Sequence, residues 1–240
     1  MGFFKNLLKT FSSEKYRRHP DGSTLTPQRF AAINVGAVNG EQTMSFCDSL
    51  TTGNDVEKLR DNLKDYYGIT DHASAEETLR WLLEGGHTRP YFLIREHAAG
   101  VSSEPLDLSS LPPDARETLE EYLKNLQETA KELTDDGWIS SVADYATIDI
   151  SAWDYGRAVI VTRSSFDCGY LSEDEAWSVI DTVYEAAKND FADWRALAQS
   201  YIVGRAMWGG DSMMLTGLSN IAANLLSEEG SPWKDVPLKV

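Results

Sequence analysis

The chain has only two cysteines among its 240 residues, Cys47 and Cys168, and they lie far apart without a CxxC pair. This spacing favours a reducing, cytoplasmic setting over a disulfide framework. The four histidines form neither HExxH nor another metal-ligand spacing, so we expect no metal. A GxSxG motif, a phosphate-binding glycine loop and a dinucleotide-binding fingerprint are missing as well, and we therefore expect no cofactor.

Long apolar runs are also missing, and no segment approaches the length that a membrane span needs. In the opening "MGFFKNLLKTF", Lys5 and Lys9 interrupt the apolar residues, and no small-residue cleavage site follows. We therefore expect no secretory signal and a cytoplasmic location. Alternation with period two is rare, and "ATIDI" at residues 146–150 is the best candidate for a strand.

Negative charge is abundant and unevenly distributed. The formal net charge is −16, yet residues 1–20 contain five basic residues and one acidic residue. An acidic body repels phosphates, so we expect no binding of nucleic acid. The same charge would attract a basic protein partner, and the simpler alternative is that it only keeps the protein soluble.

The N-terminal residues form one apolar face at helical spacing, with Lys5 and Lys9 off that face. They predict a short amphipathic helix that either contacts an anionic membrane surface or a partner through residues 1–18, or folds back onto the body. The residues of this apolar face are Phe3, Phe4, Leu7, Leu8 and Phe11.

The remaining chain has the apolar periodicity of helices almost throughout, so we predict an all-α fold with a single compact multi-helix domain. The predicted organisation is an amphipathic helix and polar linker over residues 1–24, a helical domain over 25–230 and a tail over 231–240. Thr26-Pro27 predicts one helix start. Ser74 with Glu77 and Ser172 with Glu175 predict capping boxes at two others.

One helix, near residues 150–167, is apolar on nearly all sides and yet contains Asp154 and Arg157. A later helix places Arg205 in a stripe of aromatic residues that ends at Trp208, with Gly204 allowing close approach of another helix. A buried charge without a partner is very costly, so we expect Asp154 to pair with Arg157, Arg205 or both. Excess positive charge would then need another acid, Glu77 or Asp149, or an anionic ligand.

Two further features have a structural and a functional interpretation. His87 follows Gly85-Gly86, where a histidine most often caps a helix end and less often serves as a ligand or general base. "GGDSM" at residues 209–213 is similar to an esterase nucleophile motif, but it follows a long helix, and termination of that helix explains it better.

Several of these segments together resemble a bacterial family, domain of unknown function 1266. The resemblance extends in order over roughly residues 25–210, with Tyr67, Leu171 and Asp193 departing from the family pattern. It implies a bacterial, mainly enterobacterial, cytosolic protein without an assigned activity. It also implies that Trp153, Asp154, Arg157, Gly204 and Arg205 belong to the family pattern. The matching segments are "YYGITD" (66–71), "WLLEGGH" (81–87), "WDYGR" (153–157), "GYLSEDEAW" (169–177) and "DWRALAQSYIVGRAMW" (193–208).

The sequence favours a cytoplasmic protein-interaction module, of adaptor or immunity type, over an enzyme. The alternative is an enzyme or small-ligand binder with an anion pocket on Arg157 and Arg205, in which Asp154 or His87 transfers a proton. In either case Trp153, Asp154, Arg157, Arg205 and Trp208 form one ligand-binding or structural polar network.

Overall fold

The computed structural model describes residues 15–210 and 213–240, and within them it contains helices and no β-strand. The all-α prediction is therefore confirmed for this part of the chain. In chain order the helices are α1 (Pro27–Asn34), α2 (Ala37–Gln42), α3 (Val56–Tyr67), α4 (His72–Leu83), α5 (Thr88–Ala98), α6 (Pro113–Asp135), a 3₁₀ helix (Val142–Ala146), α7 (Ser151–Asp167), α8 (Glu173–Asp190), α9 (Trp194–Gly209), α10 (Met213–Ser227) and α11 (Pro232–Asp235).

Most helices begin where their own sequence provides a cap. The Thr26 hydroxyl accepts a hydrogen bond from the backbone N–H of Arg29 at 3.2 Å, and Pro27 follows as the first residue of α1. Ser172 and Glu175 form the predicted capping box of α8. Both predictions are confirmed.

The start of α4 was predicted wrongly. The side chain of Asp71 accepts from the backbone N–H of Ser74 at 2.9 Å, and the Ser74 hydroxyl accepts from the N–H of Asp71 at 3.1 Å. The capping box is therefore Asp71 with Ser74, and the helix begins at His72. An aspartate is an N-cap at least as good as a serine, and the earlier start adds a turn to the helix.

Two other elements differ from the prediction. The strand candidate at residues 146–150 connects the 3₁₀ helix to α7 instead, and Ile150 at its end is fully buried. Helix α5 was not predicted at all. Its first residues have no cap of their own, since His87 at the N-cap makes no side-chain capping bond.

Helix α7 lies at the centre of the domain, where it contacts α2, α3, α4, α8 and α9. Nearly every residue along it is buried, as its apolar sequence predicts. Its contact with α9 is close because Gly204 has no side chain. A Cβ at that position would lie 2.5 Å from the Cβ of Trp153 and 3.3 Å from the Cβ of Ile150.

Arg163 on α7 holds the loop between α2 and α3. Its side chain is fully enclosed and donates hydrogen bonds to four backbone carbonyl groups at 2.6–3.1 Å. Burial lowers the pKa of this guanidinium to about 10. The carbonyl groups belong to Phe46, Ser49, Leu50 and Thr51.

The predicted linker and tail both pack on the helical body. Tyr16 is buried, and its hydroxyl donates to Glu228 at 2.9 Å. Near the other end, Trp233 stacks on Trp194 with ring centroids 5.2 Å apart, and its indole N–H donates to the carbonyl of Asn34 at 2.8 Å. Residues of the linker and of the tail therefore contact the helices of the body.

The predicted amphipathic helix lies outside the described residues, and so do Asp211 and Ser212 of the "GGDSM" segment. Among the helices that the structure describes, none is both long and apolar enough to cross a membrane.

Candidate functional site

Asp154 lies in the first turn of α7 and is only 1% exposed. Its carboxylate accepts from the backbone N–H groups of His87 at 3.1 Å and Thr88 at 3.0 Å, and from the Thr88 hydroxyl at 2.7 Å. Arg157 also donates to it. Asp154 thus caps the first turn of α5 from a different helix. We call these four residues the Asp154 network.

The carboxylate fits here because Gly86 has no side chain. A Cβ on Gly86 would lie 2.7 Å from Oδ1 of Asp154. Burial alone would raise the pKa of Asp154, but the hydrogen bonds from His87 and Thr88 and the charge of Arg157 together hold it below its ordinary value. The residue therefore remains ionised at neutral pH.

The tautomer of His87 follows from its neighbours. Its Nδ1 lies 2.8 Å from Nη2 of Arg157 and 3.6 Å from Oδ1 of Asp154. Because a guanidinium can only donate, Nδ1 accepts and the ring proton is on Nε2. Burial lowers the pKa of His87, so the ring is neutral. The predicted proton-transfer role of His87 or Asp154 gains no support from this geometry, since both groups already have structural partners.

Arg157 lies between two indole rings. Its Nε donates to the carbonyl of Trp153 at 3.0 Å, and its guanidinium carbon lies 4.6 Å from the ring centroid of Trp153 and 5.8 Å from that of Trp81. The charge of Arg157 is balanced by Asp154 at contact distance. The predicted ion pair within α7 is therefore confirmed.

Arg205 has a different environment. Its residue is 5% exposed, but within residues 15–210 and 213–240 it has no acidic partner, and its Nη1 has no hydrogen-bond acceptor. Of the two partners expected for Asp154, Arg157 pairs with it and Arg205 does not, because Asp154 already accepts from the start of α5 and from Arg157. Neither acid proposed as a balance reaches Arg205: Asp149 accepts from the backbone N–H of Ser151 at 2.6 Å, and Glu77 is exposed.

The guanidinium of Arg205 lies near the surface despite its burial. Its central carbon is 5.1 Å from the ring centroid of Trp208, which is 46% exposed. It also packs against the exposed backbone of Gly209, where a Cβ would overlap it. Burial lowers the pKa of Arg205, and an arginine remains charged at neutral pH.

Aromatic side chains connect Arg205 to the first turns of α7, because Trp208 contacts both Arg205 and Trp153. The ring of Trp153 is 5.2 Å from that of Tyr201 and 5.9 Å from that of Trp208. A Cβ on Gly156 would lie 2.9 Å from Oδ1 of Asn39 and 3.0 Å from Cε2 of Tyr201, so those two side chains are adjacent. Among the described residues, the buried side-chain atoms without a hydrogen bond include Trp153 Nε1 and Arg205 Nη1, while the Tyr201 hydroxyl interacts with the side chain of Asn39.

We call Asn39, Trp153, Tyr201, Arg205 and Trp208 the Arg205 site. Three of these residues were predicted from the sequence as members of a polar network. Asn39 and Tyr201 were missed, although for Asn39 a single amide in the buried stretch between Gly36 and Gly40 was a detectable signal. The site takes residues from α2, α7 and α9, so only the folded chain brings them together.

The electrostatics of the site are simple. Burial raises the pKa of the Tyr201 hydroxyl, against the opposing charges of Arg157 and Arg205, and burial also raises the pKa of nearby Tyr67. Both phenols are therefore neutral. No group of three or more metal-ligating side chains occurs in the part of the chain that the structure describes. Arg205 is thus the one buried charge at the site without a described counter-charge.

The fold and the site define an all-α protein with a buried, incompletely paired polar site beside its central helix. The sequence model of the family described as Protein of unknown function (DUF1266) matches residues 62–238, and the chain belongs to that family. No curated protein and no solved structure is significantly similar to the chain. Asn39 precedes the matched range, which contains the other four residues of the Arg205 site.

Proposed function

We propose that this protein binds an anionic small molecule at the Arg205 site. The observation that carries the proposal is the guanidinium of Arg205, which is buried without a described counter-charge. Taking such a group out of water is unfavourable unless an anion or several acceptors replace the water. A bound carboxylate or phosphate would supply both the charge and the acceptors.

The other buried arginines support this interpretation. Arg163 is surrounded by carbonyl acceptors, and Arg157 has Asp154, His87 and a backbone carbonyl. The protein therefore does saturate buried guanidinium groups where their role is structural. Arg205 departs from this rule, and so does the indole N–H of Trp153, whose ring neighbours that of Trp208. A buried polar group without a partner requires an explanation, and a bound ligand provides one.

Access to the site is favoured by its position at the end of α9. Trp208 and Gly209 are both exposed and both contact Arg205. A ligand can reach the guanidinium along the indole face of Trp208, which offers an apolar surface for the rest of the molecule.

Thermal unfolding of the full chain with increasing acetate, benzoate, phosphate or sulfate tests the proposal. Binding to the folded state alone raises stability by about 2.7 kcal/mol at a hundredfold excess over the Kd. We expect this increase for at least one anion in the wild type and its absence in Arg205→Gln. Arg195→Gln is the matched control, because Arg195 lies on the same helix over the ring of Trp138 but is exposed.

A melting temperature that responds to none of these anions, with wild type and Arg205→Gln alike, would contradict the proposal. Asp211→Asn tests an internal counter-charge, since Asp211 lies outside the described residues. Anion binding that occurs only after this substitution would identify Asp211 as the partner of Arg205 and also contradict the proposal.

A second candidate function is the interaction module of adaptor or immunity type in the cytoplasm. The observation that favours it is the net charge of −16, which would steer a basic partner protein to the body. Pull-down from host lysate at low and moderate salt tests it. One stoichiometric basic protein that is lost as salt rises would support this function, and capture that is insensitive to salt would refute it.

A further inference from the structure

We infer that Trp81, His87, Tyr122 and Arg157 form a second binding site, for a small neutral ligand that accepts hydrogen bonds through a carbonyl oxygen and packs an apolar ring on Trp81. We call these four residues the His87 site. The inference goes beyond the proposed function, because it concerns other residues and an uncharged ligand. It holds or fails independently of whether Arg205 binds an anion.

The turn between α4 and α5 places Trp81 beside His87. Gly85 has a φ of +94°, which favours glycine, and the backbone N–H of Gly86 donates to the carbonyl of Trp81 at 3.0 Å. The ring centroids of Trp81 and His87 lie 5.0 Å apart in an edge-on arrangement. From α6, the ring of Tyr122 lies 6.0 Å from that of His87. Three aromatic rings from separate elements thus meet at His87.

The Asp154 network determines which nitrogen of His87 carries the proton. Arg157 donates to Nδ1 of His87 at 2.8 Å, so the proton is on Nε2, and Asp154 holds the guanidinium in place by accepting from it. Burial lowers the pKa of His87, aided by the charge of Arg157 and opposed by Asp154. The imidazole is therefore a neutral hydrogen-bond donor in a fixed orientation.

Two N–H groups of the site have no partner and are not fully buried. Within residues 15–210 and 213–240, Nε2 of His87 and Nη1 of Arg157 make no hydrogen bond, and neither is among the buried unpaired atoms. The side chains of His87 and Arg157 are 12% and 8% exposed, and Trp81 is 46% exposed. Both N–H groups therefore reach the protein surface, and a ligand needs no internal cavity to contact them.

These donors fit a carbonyl oxygen. The imidazole of His87 and the guanidinium of Arg157 are in hydrogen-bond contact, so their unpaired N–H groups are neighbours. A carbonyl oxygen has two lone pairs and accepts from two donors. A neutral imidazole polarises such an oxygen by donating to it, and the cation at its other nitrogen strengthens that hydrogen bond.

The charge of the site favours a neutral ligand. Arg157 is paired with Asp154, the ring of His87 is neutral, and burial raises the pKa of the Tyr122 hydroxyl, so that this group is neutral as well. The site therefore offers no unbalanced positive charge to an anion, in contrast to Arg205. Removing a carboxylate from water without a counter-charge is unfavourable, and the net charge of −16 also repels anions.

Trp81 provides the apolar surface for the rest of the ligand. Its exposed indole lies at the end of α4, with the guanidinium carbon of Arg157 5.8 Å from its ring centroid. Small-ligand sites combine an aromatic surface with a few polar groups that fix the orientation of the ligand. The His87 site has both, since the rings of Trp81 and His87 are adjacent.

NMR titration of the isotope-labelled full chain tests the inference through its four histidine side chains. At neutral pH we expect His87 to show the neutral tautomer with the proton on Nε2. Benzamide should shift the His87 resonances saturably and leave those of the other three histidines unchanged. Acetamide lacks the ring, thiobenzamide is a poor acceptor, and benzoate is an anion of the same shape. Each should bind at His87 at least about threefold more weakly than benzamide.

Three variants connect the affinities to the proposed contacts. Trp81→Ala should weaken benzamide to the level of acetamide. Phe92→Ala is the matched control, because Phe92 is also 46% exposed but lies on α5 against Tyr91 and Arg95, and it should leave the Kd of benzamide within about twofold. His87→Phe keeps a ring without the N–H group and should remove the preference for benzamide over thiobenzamide. The wild-type titration decides the outcome if His87→Phe does not fold.

Four results would overturn the inference. The first is a His87 ring that is charged at neutral pH or has its proton on Nδ1. The second is a set of His87 resonances that respond to neither benzamide nor acetamide. The third is equal binding of benzamide and thiobenzamide, which would show that the carbonyl oxygen accepts no hydrogen bond. The fourth is tighter binding of benzoate than of benzamide with the same His87 shifts, which would make the site an anion site.

Discussion

Arg163 on α7 and Arg205 on α9 are both buried, but their surroundings differ in kind. Arg163 donates to four carbonyl groups of one loop, whereas Arg205 has an indole ring, the backbone of Gly209 and no described acceptor for Nη1. Their exposure is similar, 2% for Arg163 and 5% for Arg205, so burial does not distinguish a structural arginine from the ligand-binding arginine that we propose. The number of satisfied donors does.

Two acidic residues, the buried Asp154 and the half-buried Glu41, show a similar contrast. Asp154 accepts from α5 and from Arg157, and its pKa is held below the ordinary value. Within residues 15–210 and 213–240, Glu41 accepts one hydrogen bond, from the backbone N–H of Tyr16 at 3.2 Å. Burial raises the pKa of Glu41 to about 7, aided by the charge of Glu228 and opposed by that hydrogen bond and by Lys15. Charged side chains with several partners in the interior stabilise the fold. Those with few partners reduce its stability unless a ligand binds them.

The largest expected effect comes from Asp154→Ala. The substitution leaves Arg157 buried without its counter-charge and leaves the first turn of α5 without its cap. We expect a loss of about 3–5 kcal/mol in the free energy of unfolding, measured by urea denaturation. Asp65→Ala, at an exposed position on α3, should change it far less. Equal losses in the two variants would contradict the assignment of the Asp154 network as structural.

The next largest effect is the difference in the free energy of unfolding between variants of Arg163 and of Arg205. Arg163→Met leaves four carbonyl groups without donors, and we expect a loss of about 2–4 kcal/mol in the free energy of unfolding. Arg205→Met removes an unpaired buried charge and replaces it with an apolar side chain. Without ligand, its free energy of unfolding should equal or exceed that of the wild type.

Urea denaturation of both variants in a buffer of low anion content measures this difference. A loss in Arg205→Met as large as that in Arg163→Met would show that Arg205 has a structural partner. That result would remove the contrast on which the anion site depends.

The smallest expected effect is a dependence of the free energy of unfolding on pH, which arises from Glu41. The pKa of Glu41 is raised from 4.5 to about 7 in the folded state, so the fold binds this proton more tightly than the unfolded chain does. Glu41 therefore costs no stability below pH 4.5 and costs progressively more as the pH rises through 7. Glu41→Gln keeps an acceptor for Tyr16, and it should exceed the wild type by on the order of 1–2 kcal/mol at pH 8.

Urea denaturation at pH 5, 6.5 and 8 measures this dependence, and the advantage of Glu41→Gln should shrink towards pH 5. Glu96→Gln, at an exposed position on α5, is the control and should differ from the wild type by the same amount at each pH. A pH-independent difference for Glu41→Gln would show that the carboxylate is not perturbed by burial.

The helices that were predicted correctly are those whose signals are local. The bounds of α7, α8 and α9 follow from apolar periodicity and, for α8, from the Ser172–Glu175 capping box. Helix α5 was not predicted, and the reason is physical. Its cap is Asp154, which lies 67 residues from His87 along the chain, and no local pattern can reveal it.

The candidate site was predictable in part for the same reason. Arg157 and Arg205 stand out because charges in apolar helices require an explanation, and Asp154 pairs with Arg157 one helical turn away. Whether Asp154 also reaches Arg205 depends on how α5, α7 and α9 pack. The start of α5 occupies the carboxylate, so of the two alternatives only the pairing with Arg157 forms.

By itself the sequence determined the helical class, the central position of α7 and the presence of charges inside it, because these depend on composition and on spacing along one helix. Only the tertiary structure decided which buried charges are satisfied. Hydrogen bonds join atoms within about 3 Å. The α5 donors to Asp154 and the carbonyl acceptors of Arg163 are distant in sequence, and within the described residues Nη1 of Arg205 has no acceptor.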